Sequence, residues 1–263
     1  MYNFLKLFHD VLVFKPDDNG QAFPGGNPVN VAVYAKRLGA ESAYLGAVGT
    51  DRYGDLLLSR LMEKGVDISH VQCLPGATAL CHVTHVNGDR VLGDYDEGVM
   101  ADFSLRQEDL TYLSGFDLVV TGLWGHAENS LAAIRAMGIP IAFDGAERPF
   151  DPAGMIALPQ TDIAFFSNDL LPLDELKERI LSIASLGPKL VVATRGGQGS
   201  LAYDGSRFVA CSPTPCELID TMGAGDSYIA GFLLAWLRGS SLLACMHAGA
   251  QNAVVTIGYA GAW

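Results

Sequence analysis

The sequence feature best suited to catalysis is a glycine-rich turn that leads directly into an acidic residue and an apolar helix. The turn reads Asp220-Thr221-Met222-Gly223-Ala224-Gly225-Asp226-Ser227 and is followed by Ile229, Phe232, Leu233 and Leu237. A turn of this kind directs backbone N–H groups and the positive end of a helix dipole towards an anion. Asp226 lies where the proton of an attacking hydroxyl would have to be removed. The segment therefore predicts phosphoryl transfer; the alternative is that Asp226 only stabilises the first turn of the helix.

Two asparagines near the start of the chain are suited to binding hydroxyl groups. Asn27 and Asn30 follow the pair Gly25-Gly26, and an Asn amide offers a donor and an acceptor together. The alternative for both residues is helix capping or turn formation, because Pro28 fits the first position of a helix.

A second glycine-rich turn, Thr194-Arg195-Gly196-Gly197-Gln198-Gly199, follows an apolar strand. The spacing from Gly197 to Ala202 imitates a dinucleotide fingerprint, but such a site needs a helix after the glycines, and a hairpin is predicted here. The sequence contains no GxxxxGK[ST] loop, which excludes a P-loop kinase.

The composition restricts the partners of the protein. The 263 residues contain 17 Lys and Arg against 29 Asp and Glu, a net charge of -12 that repels nucleic acid. No apolar run reaches the roughly 20 residues of a membrane span, and the first residues lack a signal-peptide pattern, so we expect a cytoplasmic protein. The five cysteines are scattered without a CxxC pair, which favours reduced, buried thiols.

The elements that must position these motifs alternate between strands and helices. We expect strands at 42–48, 117–121, 140–144, 162–167 and 189–194, helices at 28–38 and 52–64, and two long apolar helices at 224–238 and 241–257. This alternation predicts a parallel sheet covered on both faces, with ligands beyond the carboxyl ends of the strands.

Residues 79–95 interrupt that alternation, because two strand patterns flank Asn87-Gly88-Asp89, as in a β-hairpin. We expect a lid over a pocket, with an edge hairpin of the main sheet as the alternative. The chain is therefore predicted to form one domain, 1–263, with a β lid contributed by about 10–25 and 76–97.

Together these motifs resemble the two signatures of the pfkB, or ribokinase-like, carbohydrate kinases. One signature is the turn from Asp220 to Ser227, and the other runs from Gly25 to Ala32 and continues in Leu38-Gly39 and Gly46-Ala47-Val48-Gly49-x-Asp51-x-x-Gly54. The resemblance implies an α/β ribokinase-like fold, in which a doubly wound, mostly parallel sheet carries helices on both faces and a small antiparallel β lid. It also implies transfer of phosphate from ATP, bound with Mg²⁺, to a sugar hydroxyl.

The resemblance assigns a role to each matching residue. Asp226 would be the catalytic base, and Gly223, Ala224 and Gly225 would form the anion hole. Gly26, Asn27 and Asn30 would contact sugar hydroxyls. The nucleotide contacts would be Thr194, Arg195, Gly197, Gly199 and Asn252, with Arg195 near the phosphates. Asp220 and Thr221 would help to hold a monovalent cation, for which K⁺ is the candidate.

Three other stretches resemble the fructoselysine 6-kinases of this family: Arg90 to Phe103, Trp124 to Glu128, and Gly261-Ala262-Trp263. The substrate implied is a glycated amino acid, and its candidate contacts are Arg90, Tyr95, Glu97, Trp124 and His126. The charged side chains of Arg90 and Glu97 suit the carboxylate and ammonium groups of the lysine part. The alternative is that these charged side chains only solvate the surface of the lid.

The sequence departs from the family pattern in two places. Phe14 occupies the position where relatives usually carry a sugar-binding Asp, and Asp10, Asp17 and Asp18 are out of register. The Asn-x-x-Glu motif for phosphate and magnesium is incomplete, because Leu171 follows Asn168 at that spacing. The alternatives are therefore a kinase for another sugar or nucleoside, and a non-catalytic sugar or nucleotide sensor. Relatives dimerise through their lids, and the sequence leaves this open here.

Overall fold

The computed structural model describes the backbone of residues 3–7, 22–86 and 89–263 and the side chains of residues 22–81 and 93–263. Its strands are β1 Asn3–Leu7, β2 Glu41–Leu45, β3 Ala47–Gly49, β4 Gln72–Leu74, β5 Leu80–Val86, β6 Asp89–Asp96, β7 Leu118–Gly122, β8 Ile141–Asp144, β9 Ile163–Ser167, β10 Leu190–Thr194, β11 Ser200–Tyr203 and β12 Phe208–Cys211. Its α-helices are α1 Asn27–Arg37, α2 Arg52–Glu63, α3 Gln107–Leu113, α4 Leu131–Ala136, α5 Pro152–Ala157, α6 Leu173–Ala184, α7 Ala224–Leu237 and α8 Leu242–Ile257.

The main sheet has eight strands in the order β12-β11-β10-β9-β8-β7-β1-β2. Neighbours from β2 to β10 are parallel, and β11 and β12 extend the sheet as an antiparallel hairpin. All the parallel strands therefore present their carboxyl ends at one edge, where α/β proteins bind their ligands.

Helices cover both faces of this sheet, as the sequence predicts. On one face α3 to α6 pack against the sheet through Leu113, Ile134, Ala157 and Leu176. On the other face α1, α7 and α8 do so through Val31, Ile229, Phe232 and Met246. The central strands are buried on both faces, which explains their near-continuous apolar runs.

The predicted strand 42–48 is wrong in one respect, because it divides at Gly46. Its first part is β2 of the main sheet, whereas its second part, β3, pairs with β4 in a separate two-stranded sheet. The glycine permits this departure, since a side chain at Gly46 would collide with Tyr44.

The predicted hairpin is confirmed by the antiparallel pairing of β5 with β6. Its base is tied to the body through Asp51, which caps α2 by accepting from the amides of Tyr53 and Gly54 and also accepts from the amide and hydroxyl of Thr78. The segment 10–21, which holds Asp10, Phe14, Asp17, Asp18 and most of the other predicted part of the lid, lies outside the described residues.

Two smaller expectations have mixed outcomes. Cys81, Cys211 and Cys245 are buried as predicted, whereas Cys73 and Cys216 are exposed, so the prediction was wrong for those two. Within the described part of the chain, no helix is both long and apolar enough to cross a membrane.

Candidate active site

Asp226 lies in the first turn of α7, at the edge of the sheet where the parallel strands end. Gly223 precedes the helix with φ of 71°, a left-handed conformation that favours glycine. A side chain at Gly223 would also collide with the hydroxyl of Tyr34. The turn therefore requires glycine at position 223 for two reasons, its backbone conformation and the lack of space for a side chain. The conformation of the turn also sets the direction in which the Asp226 side chain projects from α7.

Both oxygens of Asp226 accept hydrogen bonds from asparagine amides of α1. The Nδ2 atom of Asn27 donates to Oδ1 at 2.6 Å, and the Nδ2 atom of Asn30 donates to Oδ2 at 2.7 Å. Residues 27 and 30 are three apart, so they share one face of the helix. The capping alternative fails for Asn27, because Gly26 is the N-cap residue of α1 and no side chain caps it.

Asp144, at the end of β8, is a site residue that the sequence reasoning missed. It is buried, its Oδ1 accepts from the amide of Ala146 at 2.9 Å, and its Oδ2 accepts from Nδ2 of Asn27. The amide of Asn27 therefore lies between two carboxylates. Ala146 has φ of 45°, a strained value for a residue with a side chain, and such strain is common at functional sites. The carboxyl end of a predicted buried strand was the signal that could have identified Asp144.

A cavity of about 480 Å³ opens on the other side of the glycine-rich turn. Of the predicted nucleotide contacts, Thr194, Gly197 and Gly199 line this cavity. Of the three residues of the predicted anion hole, Ala224 and Gly225 also line it, whereas Gly223 does not. The sequence reasoning missed the opposite wall, which is formed by Ser212, Pro213, Leu218, Ala253, Val254 and Ile257. The exposed Leu218 and Ile219 in an otherwise polar loop were a signal for it.

Two predicted nucleotide contacts lie elsewhere. Asn252 is buried between α7 and α8, where its side chain donates to the carbonyl of Ser227 at 2.7 Å and accepts from Arg37 at 2.7 Å. Asn252 does not line the cavity, because the α8 wall of the cavity is formed by Ala250, Ala253, Val254 and Ile257. Arg195 does not line the cavity either, and its guanidinium donates to Gln198 at 2.6 Å.

The first turn of α7 contains two amides of the predicted anion hole, those of Ala224 and Gly225. The amide of Gly225 precedes the internal hydrogen bonds of the helix, and this residue is exposed with open space around its Cα atom. The amide of Ala224 instead donates to the carbonyl of Thr221 at 3.1 Å, so it would have to exchange this bond to reach a phosphate.

The predicted cation residues lie beside this turn. Asp220 accepts from the amides of Met222 at 3.0 Å and Gly261 at 2.7 Å, and Thr221 is exposed at the wall of the cavity. Asn168 caps the next segment by accepting from the amides of Leu170 and Leu171. Among the described residues, no three His, Cys, Asp or Glu side chains are grouped to hold a metal ion.

The candidate substrate contacts of the hairpin and the β7 loop come close to one another. Nε2 of His126 lies 3.8 Å from Oε1 of Glu97, which joins the end of the hairpin to the loop after β7. His126 has φ of 48°, so this loop is also strained. Trp124 lies half-exposed beneath the guanidinium of Arg148, 5.6 Å from the ring centre.

The two other predicted substrate contacts belong to the hairpin. Tyr95 packs against the core beneath it, and burial followed by the charge of Glu97 raises the pKa of this phenol far above its usual range. Arg90 pairs with His85 through the backbone, and its side chain lies outside the described part of the structure.

Comparison with known proteins gives one consistent result. Residues 13–263 match the family described as pfkB family carbohydrate kinase. The chain is 44% identical to the fructoselysine 6-kinase of Shigella flexneri over 92% of this chain and 93% of that protein. It is 34% identical to a fructosamine kinase of Bacillus subtilis over 94% of this chain and 88% of that protein.

Solved structures agree on the fold. Arabidopsis thaliana ribokinase complexed with ribose and ATP superposes with a TM-score of 0.89 at 20% identity, over 99% of this chain and 94% of that one. Thermotoga maritima ribokinase superposes with a TM-score of 0.82 at 19% identity, over 99% of this chain and 94% of that one. The ribokinase-like fold predicted from the sequence is thus confirmed.

Proposed function

This chain belongs to the pfkB family of carbohydrate kinases, and we propose that it transfers the γ-phosphoryl group of ATP to the 6-hydroxyl of fructoselysine. The observation that carries this proposal is the placement of Asp226. Its carboxylate is held by Asn27 and Asn30 on one side, while Ala224 and Gly225 of the same turn line the cavity on the other.

The reaction follows from that placement. The 6-hydroxyl oxygen attacks the γ-phosphorus as its proton passes to Asp226, the bond to the bridging oxygen breaks, and ADP leaves. Amide nitrogens only donate, so Asn27 and Asn30 keep both oxygens of Asp226 as acceptors. The product is the sugar 6-phosphate, and the proton on Asp226 is returned to solvent.

The cavity suits the nucleotide. Its apolar wall on α8 and the 212–218 loop can cover a base, and the exposed Gly225, next to Asp226 in the chain, lines the same cavity. When bound, Mg²⁺ would neutralise charge on the ATP phosphates. A monovalent cation would bind beside Asp220 and Thr221. Comparing the rate of ADP release in K⁺ buffer and in Li⁺ buffer tests this part of the proposal.

The choice of substrate rests on the relatives and on the hairpin. The sugar would bind against Gly26, Asn27 and Asn30, and the lysine part would extend towards Arg90, Tyr95, Glu97, Trp124 and His126. Glu97 and His126 already bring the hairpin to the β7 loop. We therefore propose that the hairpin is a lid of a single catalytic domain and excludes water when it closes.

The test is magnesium-dependent ADP release with fructoselysine, fructose and ribose in parallel. We expect fructoselysine to give the highest kcat/KM and Asp226→Asn to lose about 10³-fold in kcat. Asp55→Asn is the matched control, because Asp55 is exposed on α2. If sugar and nucleotide bind without ADP release, the protein is a sensor; if another sugar is preferred, the fold and the base are retained but the substrate is wrong.

A further inference from the structure

The segment Gly261-Ala262-Trp263 is fixed to the catalytic elements by its backbone. The amide of Gly261 donates to Asp220 at 2.7 Å, and the carbonyl of Ala262 accepts from the hydroxyl of Tyr259 at 3.0 Å and from that of Tyr34. Burial, followed by the charge of Asp226, raises the pKa of Tyr34 far above its usual range, so this phenol remains a donor. The position of Trp263 is therefore set by groups of α1 and of the turn before α7.

The indole of Trp263 fixes which way the amide of Asn30 faces. Its Nε1–H donates to Oδ1 of Asn30 at 2.8 Å, while Nδ2 of the same amide donates to Asp226 at 2.7 Å. If the Asn30 amide were rotated by half a turn, its NH₂ group would face the indole N–H of Trp263, and its oxygen would face the carboxylate oxygen of Asp226. Both contacts would then be repulsive. Asn30 is 2% exposed, so water cannot easily replace either partner.

We propose that Trp263 is a positioning residue for catalysis, which acts through Asn30 to hold the carboxylate of Asp226 in its reactive orientation. This inference rests on the proposed role of Asp226 as the base. It assigns the catalytic effect to the N–H group of the indole and not to the volume of the ring.

Packing alone is the competing explanation for Trp263. The ring lies half-buried against the apolar cluster of α1 and α2, and Nζ of Lys64 is 5.7 Å from the ring centre. Trp263→Phe keeps an aromatic ring and removes the N–H group, so it separates the two explanations better than a truncation would.

The decisive experiment is a double-mutant cycle with Trp263→Phe, Asn30→Ala and the double variant. We expect Trp263→Phe to lower kcat about tenfold, the effect of one buried hydrogen bond, with KM for fructoselysine within about twofold of wild type. Adding Trp263→Phe to Asn30→Ala should then cost nothing more, because the group through which the indole acts is gone. An equal loss in both backgrounds, or an unchanged kcat in Trp263→Phe, would overturn the proposal.

A spectroscopic measurement tests the contact without catalysis. The chain has three tryptophans, so its ¹⁵N–¹H spectrum should contain three indole signals, and the one lost in Trp263→Phe identifies Trp263. Asn30→Ala should shift that signal and leave those of Trp124 and Trp236 in place. An unshifted signal refutes the contact, whereas a shifted signal in a protein that phosphorylates no sugar refutes the proposed function instead.

Discussion

The side-chain amide nitrogen of Asn27 lies 2.6 Å from Oδ1 of Asp226, although 199 positions separate the two residues in the chain. The same nitrogen donates to Asp144 at the end of β8. A single amide group thus connects the first helix, the central sheet and the start of α7. This connection places the proposed sugar site directly against the proposed base.

The first prediction concerns Asp144, whose two oxygens accept from two different donors, Ala146 and Asn27. Asp144→Ala removes both acceptors, and Asp144→Asn turns an N–H group towards one of the donors. We expect Asp144→Asn to lower kcat/KM for fructoselysine about tenfold in steady-state assays, the effect of losing one hydrogen bond, and Asp144→Ala, which loses both, to lower it further. Full activity in Asp144→Asn would show that the orientation of Asn27 does not depend on this carboxylate.

The second prediction concerns the nucleotide cavity at Gly197. This residue lines the cavity, and a Cβ atom added there would meet nothing within 4 Å, so the fold should tolerate a side chain. Gly197→Val should therefore raise KM for ATP about tenfold by filling space that the nucleotide needs, with KM for the sugar unchanged. Gly115→Val, at the end of α3, is the control for a glycine far from the cavity. A normal KM for ATP in Gly197→Val would mean that the nucleotide binds elsewhere.

The third prediction separates substrate recognition from solvation at Glu97. If this carboxylate binds the ammonium of the lysine part, Glu97→Gln should raise KM for fructoselysine about tenfold, the worth of a charge-assisted hydrogen bond. Fructose lacks the ammonium, so its KM should stay within about twofold. Measuring both sugars with one variant provides an internal control, and an equal change for both would indicate that Glu97 acts only through its contact with His126.

The fourth prediction is a dependence of stability on pH that comes from Asp51. Burial alone would raise the pKa of this carboxyl, but hydrogen bonds from Thr78, Gly54 and Tyr53 lower it below its usual value. A carboxyl with a lowered pKa stabilises the fold above its unfolded pKa of about 3.9, and this contribution is lost as the pH falls through the folded pKa. Asp51→Asn should therefore cost about 1–2 kcal/mol near pH 7.

Urea unfolding of wild type and Asp51→Asn between pH 7 and pH 3 checks this expectation. The difference in free energy of unfolding should be constant at neutral pH and shrink on acidification. A difference that stays the same down to pH 3 would count against the hydrogen bonds at Asp51 as its source.

Much of the fold could be predicted because its signals are local. Strands β7 to β10 and helices α7 and α8 lie within two residues of their predicted bounds, since each is a short apolar run or a long apolar helix closed by a turn. The division of the predicted strand 42–48 at Gly46 could not be predicted, because it depends on the pairing of β3 with β4. A single strand pattern does not indicate which partner a strand will choose.

The candidate site also contains some features that could be predicted from the sequence and others that could not. The glycine-rich turn, the acid that follows it and the asparagine pair could be identified from the sequence, because these are residue types at fixed spacings whose chemistry is carried by a few neighbouring positions. The tertiary structure was needed to show that Asp144 and Trp263 hydrogen-bond to those asparagines and that Asn252 lies between α7 and α8. Such roles depend on the direction of a side chain across elements far apart in the chain, and helix packing sets that direction.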